Sequence, residues 1–90
     1  MPVVRRRVVA HGQVQGVFFR DSTRREAERR GVAGSAENTP EGTVECVFEG
    51  DAEDVEAMIE LVRRGPGHAT VSSVDVTEEE PQGLTGFEIA

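Results

Sequence analysis

The chain has 90 residues, 37% of them hydrophobic and 30% charged, and carries a formal net charge of −7 at pH 7. That length makes one domain, and the apolar share is enough for a core; no apolar run approaches the ~20 residues that a membrane-spanning helix needs. The acidic balance counts against general nucleic-acid binding, and one cysteine with two histidines cannot form an internal disulfide or supply the about four ligands of a structural zinc site.

After Met1-Pro2-Val3-Val4 the chain runs straight into Arg5-Arg6-Arg7, so no apolar signal region forms and the cytoplasm is the expected compartment. All ten basic residues are arginine, against seventeen acids. An acidic, lysine-free composition fits a salt-rich cytoplasm, where charge keeps a protein soluble and salt screens its self-repulsion. It fits a preference for arginine codons equally well. A monomer is the expected state, given the charge and a short terminal edge strand.

Valine-rich Val3 to Ala10 reads as a strand, and His11 to Arg20 as a loop. Asp21 to Arg30 reads as a helix, capped by Asp21 or Ser22 and ended by Gly31 in the left-handed conformation. Its apolar stripe, Phe19, Thr23 and Ala27, is thin. Val32 to Thr39 and Thr43 to Glu49 form a hairpin around Pro40-Glu41-Gly42. In the second strand Val44, Cys46 and Phe48 point one way and Glu45 and Glu49 the other. Ala52 to Arg64 carries Val55, Met58, Ile59 and Val62 at helical spacing, with Asp51 as N-cap and Gly65-Pro66-Gly67 as its stop. Thr70 to Thr77 is a strand, and Phe87-Glu88-Ile89 a short edge strand. The order strand, helix, strand, strand, helix, strand is that of the α+β ferredoxin-like sandwich, the split β-α-β arrangement. It predicts an antiparallel sheet with two helices on one face.

The segment that carries chemistry is His11 to Arg20, between the first strand and the first helix. Backbone N–H groups at a helix N-terminus converge on one spot with partial positive charge, and a glycine such as Gly16 lets successive N–H groups form an anion nest. Arg20 opens the helix beside that nest, where the dipole repels a cation unless an anion is near. Its planar guanidinium can grip two phosphate oxygens. The loop therefore reads as a phosphate cradle, and it is no P-loop, since no Gly-Lys-Ser/Thr follows.

The run Gly12-x-Val14-Gln15-Gly16-Val17-x-Phe19-Arg20 resembles the first diagnostic motif of the acylphosphatase family. Gly31-Val32-x-Gly34-x-x-x-Asn38, followed by Gly42-x-Val44-Glu45, resembles the second. The resemblance covers nearly the whole chain. It implies the ferredoxin-like fold, no metal and no cofactor, and hydrolysis of the carboxyl-phosphate bond of small-molecule acyl phosphates. Matched by position, it makes Arg20 the phosphate-binding arginine, Asn38 the water-orienting asparagine, and Gln15, Gly16, Val17, Phe18, Phe19 and Arg20 the phosphate loop. The chain departs from the pattern at Ser35-Ala36, where an aromatic is common, and at Arg30, where an apolar residue is usual. The alternative is a non-catalytic ferredoxin-like module that binds or senses an anion.

Other residues read more plainly. His11 is structural or exposed, and His68 is solvated in a loop. Cys46 is a small hydrophobe on the apolar face of its strand. Arg5, Arg6 and Arg7 alternate faces and make no basic stripe. Glu78-Glu79-Glu80 reads as a solvated loop. Of Phe18 and Phe19, one is expected to pack inward and the other to line the mouth of the site.

Overall fold

The computed structural model describes residues 2–90. Its elements are β1 (Val3–Gln13), α1 (Phe19–Arg30), β2 (Ala33–Asn38), β3 (Val44–Asp51), α2 (Ala52–Arg64), β4 (Thr70–Glu79) and β5 (Phe87–Ile89). The strands form one sheet in the order β4-β1-β3-β2-β5. β1 is antiparallel to both β3 and β4, and β2 is antiparallel to β3.

β5 departs from the expected all-antiparallel sheet, because it runs parallel to β2 with Ala36 opposite Ile89. The reason lies in the strand directions. β4 ends where Glu79 pairs with Arg5, near the start of β1. That is the end of the sheet from which β2 also departs, since Ala33 pairs with Glu49. The connection 80–86 then crosses from one edge strand to the other and delivers β5 in the direction of β2. At the opposite end of the sheet lie the close of β1, the start of α1, and the C-termini of β2 and β5.

Strand alternation and helical spacing build the core as the sequence predicts. Val8 and Ala10 of β1, Val44, Cys46 and Phe48 of β3, and Ala36 of β2 join one buried cluster with the apolar faces of the helices. α2 contributes Val55, Met58, Ile59 and Val62. α1 buries Phe19, Thr23 and Ala27, and Thr23 donates back to the Phe19 carbonyl at 2.8 Å. Burial pushes the Cys46 thiol up to about 12, with Glu45 adding to the effect, so it stays protonated and inert.

The caps differ from expectation. α1 begins at Phe19, and its N-cap is Phe18, with φ 62° and no side-chain cap bond. Asp21 instead sits in the first turn, where its carboxylate pairs with Arg24 and Arg25. Asp51 holds the N-cap position of α2 without a side-chain bond. Gly31 ends α1 in the left-handed conformation as predicted. Arg30, at a position where an apolar residue is usual, bridges the helices by reaching Glu26 at 2.9 Å and Asp54 at 3.2 Å.

The other face of the sheet is polar and organised by β1. Arg5 reaches Glu79 at 2.8 Å and Glu49 at 3.3 Å, and Arg7 reaches Glu45 and Glu79 at 2.7 Å each. Glu78 and Glu79 therefore belong to β4, not to a solvated loop, because the register sets Glu79 beside Arg5. Glu49 is only 4% exposed. It accepts from the backbone N–H groups of Gln82, Gly83 and Leu84 at 2.7–3.0 Å. Those bonds, the Gln82 one foremost, and Arg5 hold its carboxyl below the usual carboxylate range despite burial. This carboxylate pins the connection that leads to β5.

Candidate active site

β1 ends at Gln13, and the chain turns through Val14 to Phe18 before α1 begins. Two residues of this turn adopt left-handed backbone, Gly16 at φ 72° and Phe18 at φ 62°. A Cβ at Gly16 would meet nothing within 4 Å, so glycine serves conformation there and leaves the backbone bare toward solvent. The carbonyl of Val17 is turned away, accepting from the His68 N–H at 2.9 Å. Gly67 is glycine because a Cβ there would lie 2.5 Å from that same oxygen. Among the described residues, the N–H groups of Gln15, Gly16, Val17 and Phe18 have no backbone acceptor, and the first loop-to-helix bond is from Ser22 to the Phe18 carbonyl. The N–H groups of the first helical turn are free of intrahelical partners as well. These N–H groups remain available as donors at the positive end of α1, the setting in which an anion nest can form.

Arg20 lies at this helix start. Its Nη1 donates to the main-chain oxygen of Ala90 at 2.8 Å. This partner tethers the guanidinium at the dipole end that would otherwise repel it. Ala90 is itself fixed, because its N–H donates to the Ala36 carbonyl at 3.0 Å. A cavity of about 270 Å³ opens beside Arg20, lined by Val14, Gly16, Phe18, Phe19, Arg20, Asp21 and Ile89. Phe19 is 2% exposed and packs inward, whereas Phe18 is 69% exposed at the rim. The Phe18 ring meets His68 edge-on, 6.0 Å between centroids.

Asn38 does not line this cavity. It is the last residue of β2, exposed, and two positions beyond buried Ala36 on the helix-covered face. α1 runs back toward the start of β2, so the C-terminal end of β2 lies at the N-terminal end of α1. The Asn38 side chain makes no hydrogen bond among the described residues. Gln15 joins the two halves. Its Nε2 donates to the carbonyls of Thr39 at 2.8 Å and Thr43 at 2.9 Å, and so fastens the loop to the turn that follows Asn38.

The predicted loop residues thus divide by task. Gly16, Val17 and Phe18 present backbone, Phe19 anchors the helix in the core, Gln15 braces, and Arg20 supplies the charge. Val14, Asp21, Ile89 and Ala90 also meet here without having been expected as site residues. Val14 stood in the first motif run, Asp21 was read as a cap, Ile89 lay in the short edge strand, and Ala90 carried no signal. His11 lies on the polar sheet face, 2.8 Å from Asp75, and its place is structural. His68 is exposed as expected, yet it also seats the loop. Among the described residues, no group of three or more His, Cys, Asp or Glu is arranged to hold a metal ion. No helix is long and apolar enough to cross a membrane.

Comparison with known proteins places the chain and its fold in one family. A family model described as acylphosphatase matches residues 6–89. The chain is 54% identical over 85 residues to an acylphosphatase of Rubrobacter xylanophilus, covering 92% of this chain and 76% of that protein. It is 51% identical over 89 residues to an acylphosphatase of Thermococcus kodakarensis, covering 99% and 98%. The crystal structure of acylphosphatase from Bacillus subtilis superposes with a TM-score of 0.92 at 33% identity, covering 97% of this chain and 98% of that one.

Proposed function

The chain belongs to the acylphosphatase family, a family of hydrolases, and from that premise we propose that it cleaves the carboxyl-phosphate bond of acyl phosphates with Arg20 and Asn38 in the working roles. The free N–H groups of Gly16, Val17 and Phe18, the first turn of α1 and the Arg20 guanidinium hold the phosphoryl oxygens and offset charge as it builds. The side-chain oxygen of Asn38 holds a water in line with phosphorus, opposite the leaving group. The leaving group is a carboxylate, which departs at neutral pH without protonation, so no general acid is required. The task that remains is positioning and charge stabilisation. The attacking water passes its proton to the bound phosphate, and the products are a carboxylate and inorganic phosphate. The protein acts as a single-domain cytoplasmic monomer.

The observation that supports this reading is Arg20 tethered to Ala90 at the start of α1, beside a loop whose backbone N–H groups lack backbone acceptors and which Gln15 fastens to the turn that follows Asn38. A passive anion binder needs the arginine and the loop, but has no use for the asparagine. The test is benzoyl phosphate hydrolysis in ¹⁸O-labelled water with a chelator present. Turnover with the label in inorganic phosphate is the expected result. Label in benzoate means attack at the carbonyl, which this arrangement does not support. Folded protein that binds phosphate without turnover points to the anion-binding module.

A further inference from the structure

Among the described residues, Phe18 is the non-glycine residue with left-handed backbone, at φ 62°. A bulky side chain keeps that conformation only where the surroundings enforce it. The Phe18 ring is 69% exposed, so burial of the side chain does not enforce it. The turn after α2 does, because the His68 N–H donates to the Val17 carbonyl at 2.9 Å. A trans peptide unit is planar, with its C=O and N–H pointing in opposite directions. Holding the Val17 oxygen against His68 therefore aims the Phe18 N–H away from the turn. Rotating that one peptide plane by half a turn would return Phe18 to negative φ and relieve its strain. It would also exchange the two groups and set the Val17 oxygen where the N–H now points.

The turn is built to resist this exchange. Pro66 is buried, the Gly65 N–H donates to the Leu61 and Val62 carbonyls at 3.1 and 3.2 Å, and the Ala69 N–H closes the turn onto the Pro66 carbonyl at 3.3 Å. Gly67, at φ 66°, comes so close that a Cβ would lie 2.5 Å from the Val17 oxygen and 2.9 Å from the Phe18 carbonyl carbon and oxygen. That Phe18 oxygen accepts the first bond of α1, from Ser22 at 3.1 Å. The main chain of residues 67 and 68 thus lies against the peptide units on both sides of Phe18. The His68 ring adds only an edge contact to the Phe18 ring at the exposed rim.

Building on the hydrolase reading, we propose that the main chain of Gly67 and His68 is a latch that positions the phosphate loop, holding the Val17–Phe18 peptide in the plane that offers the phosphoryl group an N–H instead of a carbonyl. Gly67 and His68 are positioning residues and touch no substrate. The anion binds the latched loop alone, so apparent affinity falls with the fraction of molecules in which the latch is closed. Once bound, the phosphoryl group itself holds the loop in that state, and turnover from the complex is preserved.

The test measures inorganic phosphate affinity by titration calorimetry, and kcat and KM for benzoyl phosphate, in wild type, Gly67→Ala, His68→Ala and a chain with an ester in place of the Gly67–His68 amide. The ester deletes the donor and leaves both side chains intact. Gly67→Ala weakens phosphate binding and raises KM by the same factor, about 10-fold, with kcat within about threefold of wild type. The ester does the same by about 3- to 10-fold, and it decides the matter alone if Gly67→Ala fails to fold. His68→Ala keeps the N–H and leaves affinity and KM within about twofold of wild type. A merely destabilised variant would lose folded protein without changing the affinity of what stays folded. Wild-type phosphate affinity in folded Gly67→Ala or in the ester overturns the latch, as does a fall in kcat with affinity and KM unchanged. A His68→Ala effect as large as that of the ester overturns it too, by giving the hold to the ring. If wild type binds phosphate without turnover, the hydrolase reading fails and the phosphate affinities of the variants still decide the latch; a folded wild type that binds no phosphate overturns both.

Discussion

The side-chain amide of Gln15 donates to the main-chain oxygen of Thr39 at 2.8 Å, which fastens the loop between β1 and α1 to the turn that follows Asn38 at the end of β2. The same amide reaches the Thr43 oxygen at 2.9 Å. One side chain therefore sets the register between the two halves of the site.

Cutting this brace leaves the core untouched, because Gln15 is exposed and contributes no apolar burial. Each neutral hydrogen bond is worth about 1 kcal/mol. Gln15→Ala is expected to lower kcat for benzoyl phosphate about 3- to 10-fold, with a smaller change in inhibition by inorganic phosphate. Gln15→Glu is expected to be worse, since a carboxylate would face two carbonyl oxygens. Steady-state kinetics on both variants check this, and a Glu variant more active than the Ala variant counts against the brace.

Glu49 governs stability and its dependence on pH. Its carboxylate holds three backbone N–H groups and Arg5 in a buried setting. Glu49→Ala removes the acceptor of the three N–H groups and leaves Arg5 with Glu79 alone, and is expected to cost about 3–5 kcal/mol. At roughly 0.05–0.15 kcal/mol per residue the 90-residue domain holds about 5–14 kcal/mol in total, so the variant should lose a large share of its stability. The carboxyls of Glu49 and Glu79 are held below the ordinary range, Glu79 chiefly by Arg7 and then Arg5. Their stabilisation is thus complete above the unfolded-state pKa and is lost as pH falls through the folded-state value. Urea midpoints should drop between neutral pH and about pH 3, and Glu49→Gln should drop less over that interval because it removes one titrating carboxylate.

Salt should stabilise the fold. With a net charge of −7, self-repulsion favours the expanded chain, and the Debye length shrinks from about 10 Å at 0.1 M to about 3 Å at 1 M. Midpoints of thermal unfolding should therefore rise from low to molar sodium chloride. Flat midpoints would indicate that the ion pairs of Arg5 and Arg7 offset the repulsion already.

Much of this was legible in the sequence because it depended on local spacing. α2 matches its predicted span, since Val55, Met58, Ile59 and Val62 recur at i, i+3, i+4 and i+7. β3 buries Val44, Cys46 and Phe48 as its alternation requires. The loop and Arg20 stood out from their positions before a helix. What was missed depended on distant partners. The start of α1 is set by the backbone of Phe18 rather than by a side-chain cap, and side-chain capping was the signal available. Glu79 looks solvated until the β1–β4 register places it beside Arg5. The Ala90 contact with Arg20 exists only because β5 runs parallel to β2, which follows from where the 80–86 connection lands. The Gln15 brace spans 24 residues and left no local trace.

Whether Arg20 carries the phosphate and Asn38 the water is decided by benzoyl phosphate hydrolysis, with inhibition by inorganic phosphate, in wild type, Arg20→Ala, Arg20→Lys and Asn38→Ala, each shown to be folded by circular dichroism. Arg20→Ala should lose on the order of 10²–10³ in kcat/KM together with its affinity for phosphate. Arg20→Lys should recover little of either, because lysine lacks the planar fork. Asn38→Ala should lose turnover while still binding phosphate. Near wild-type hydrolysis by folded Arg20→Ala would contradict the account.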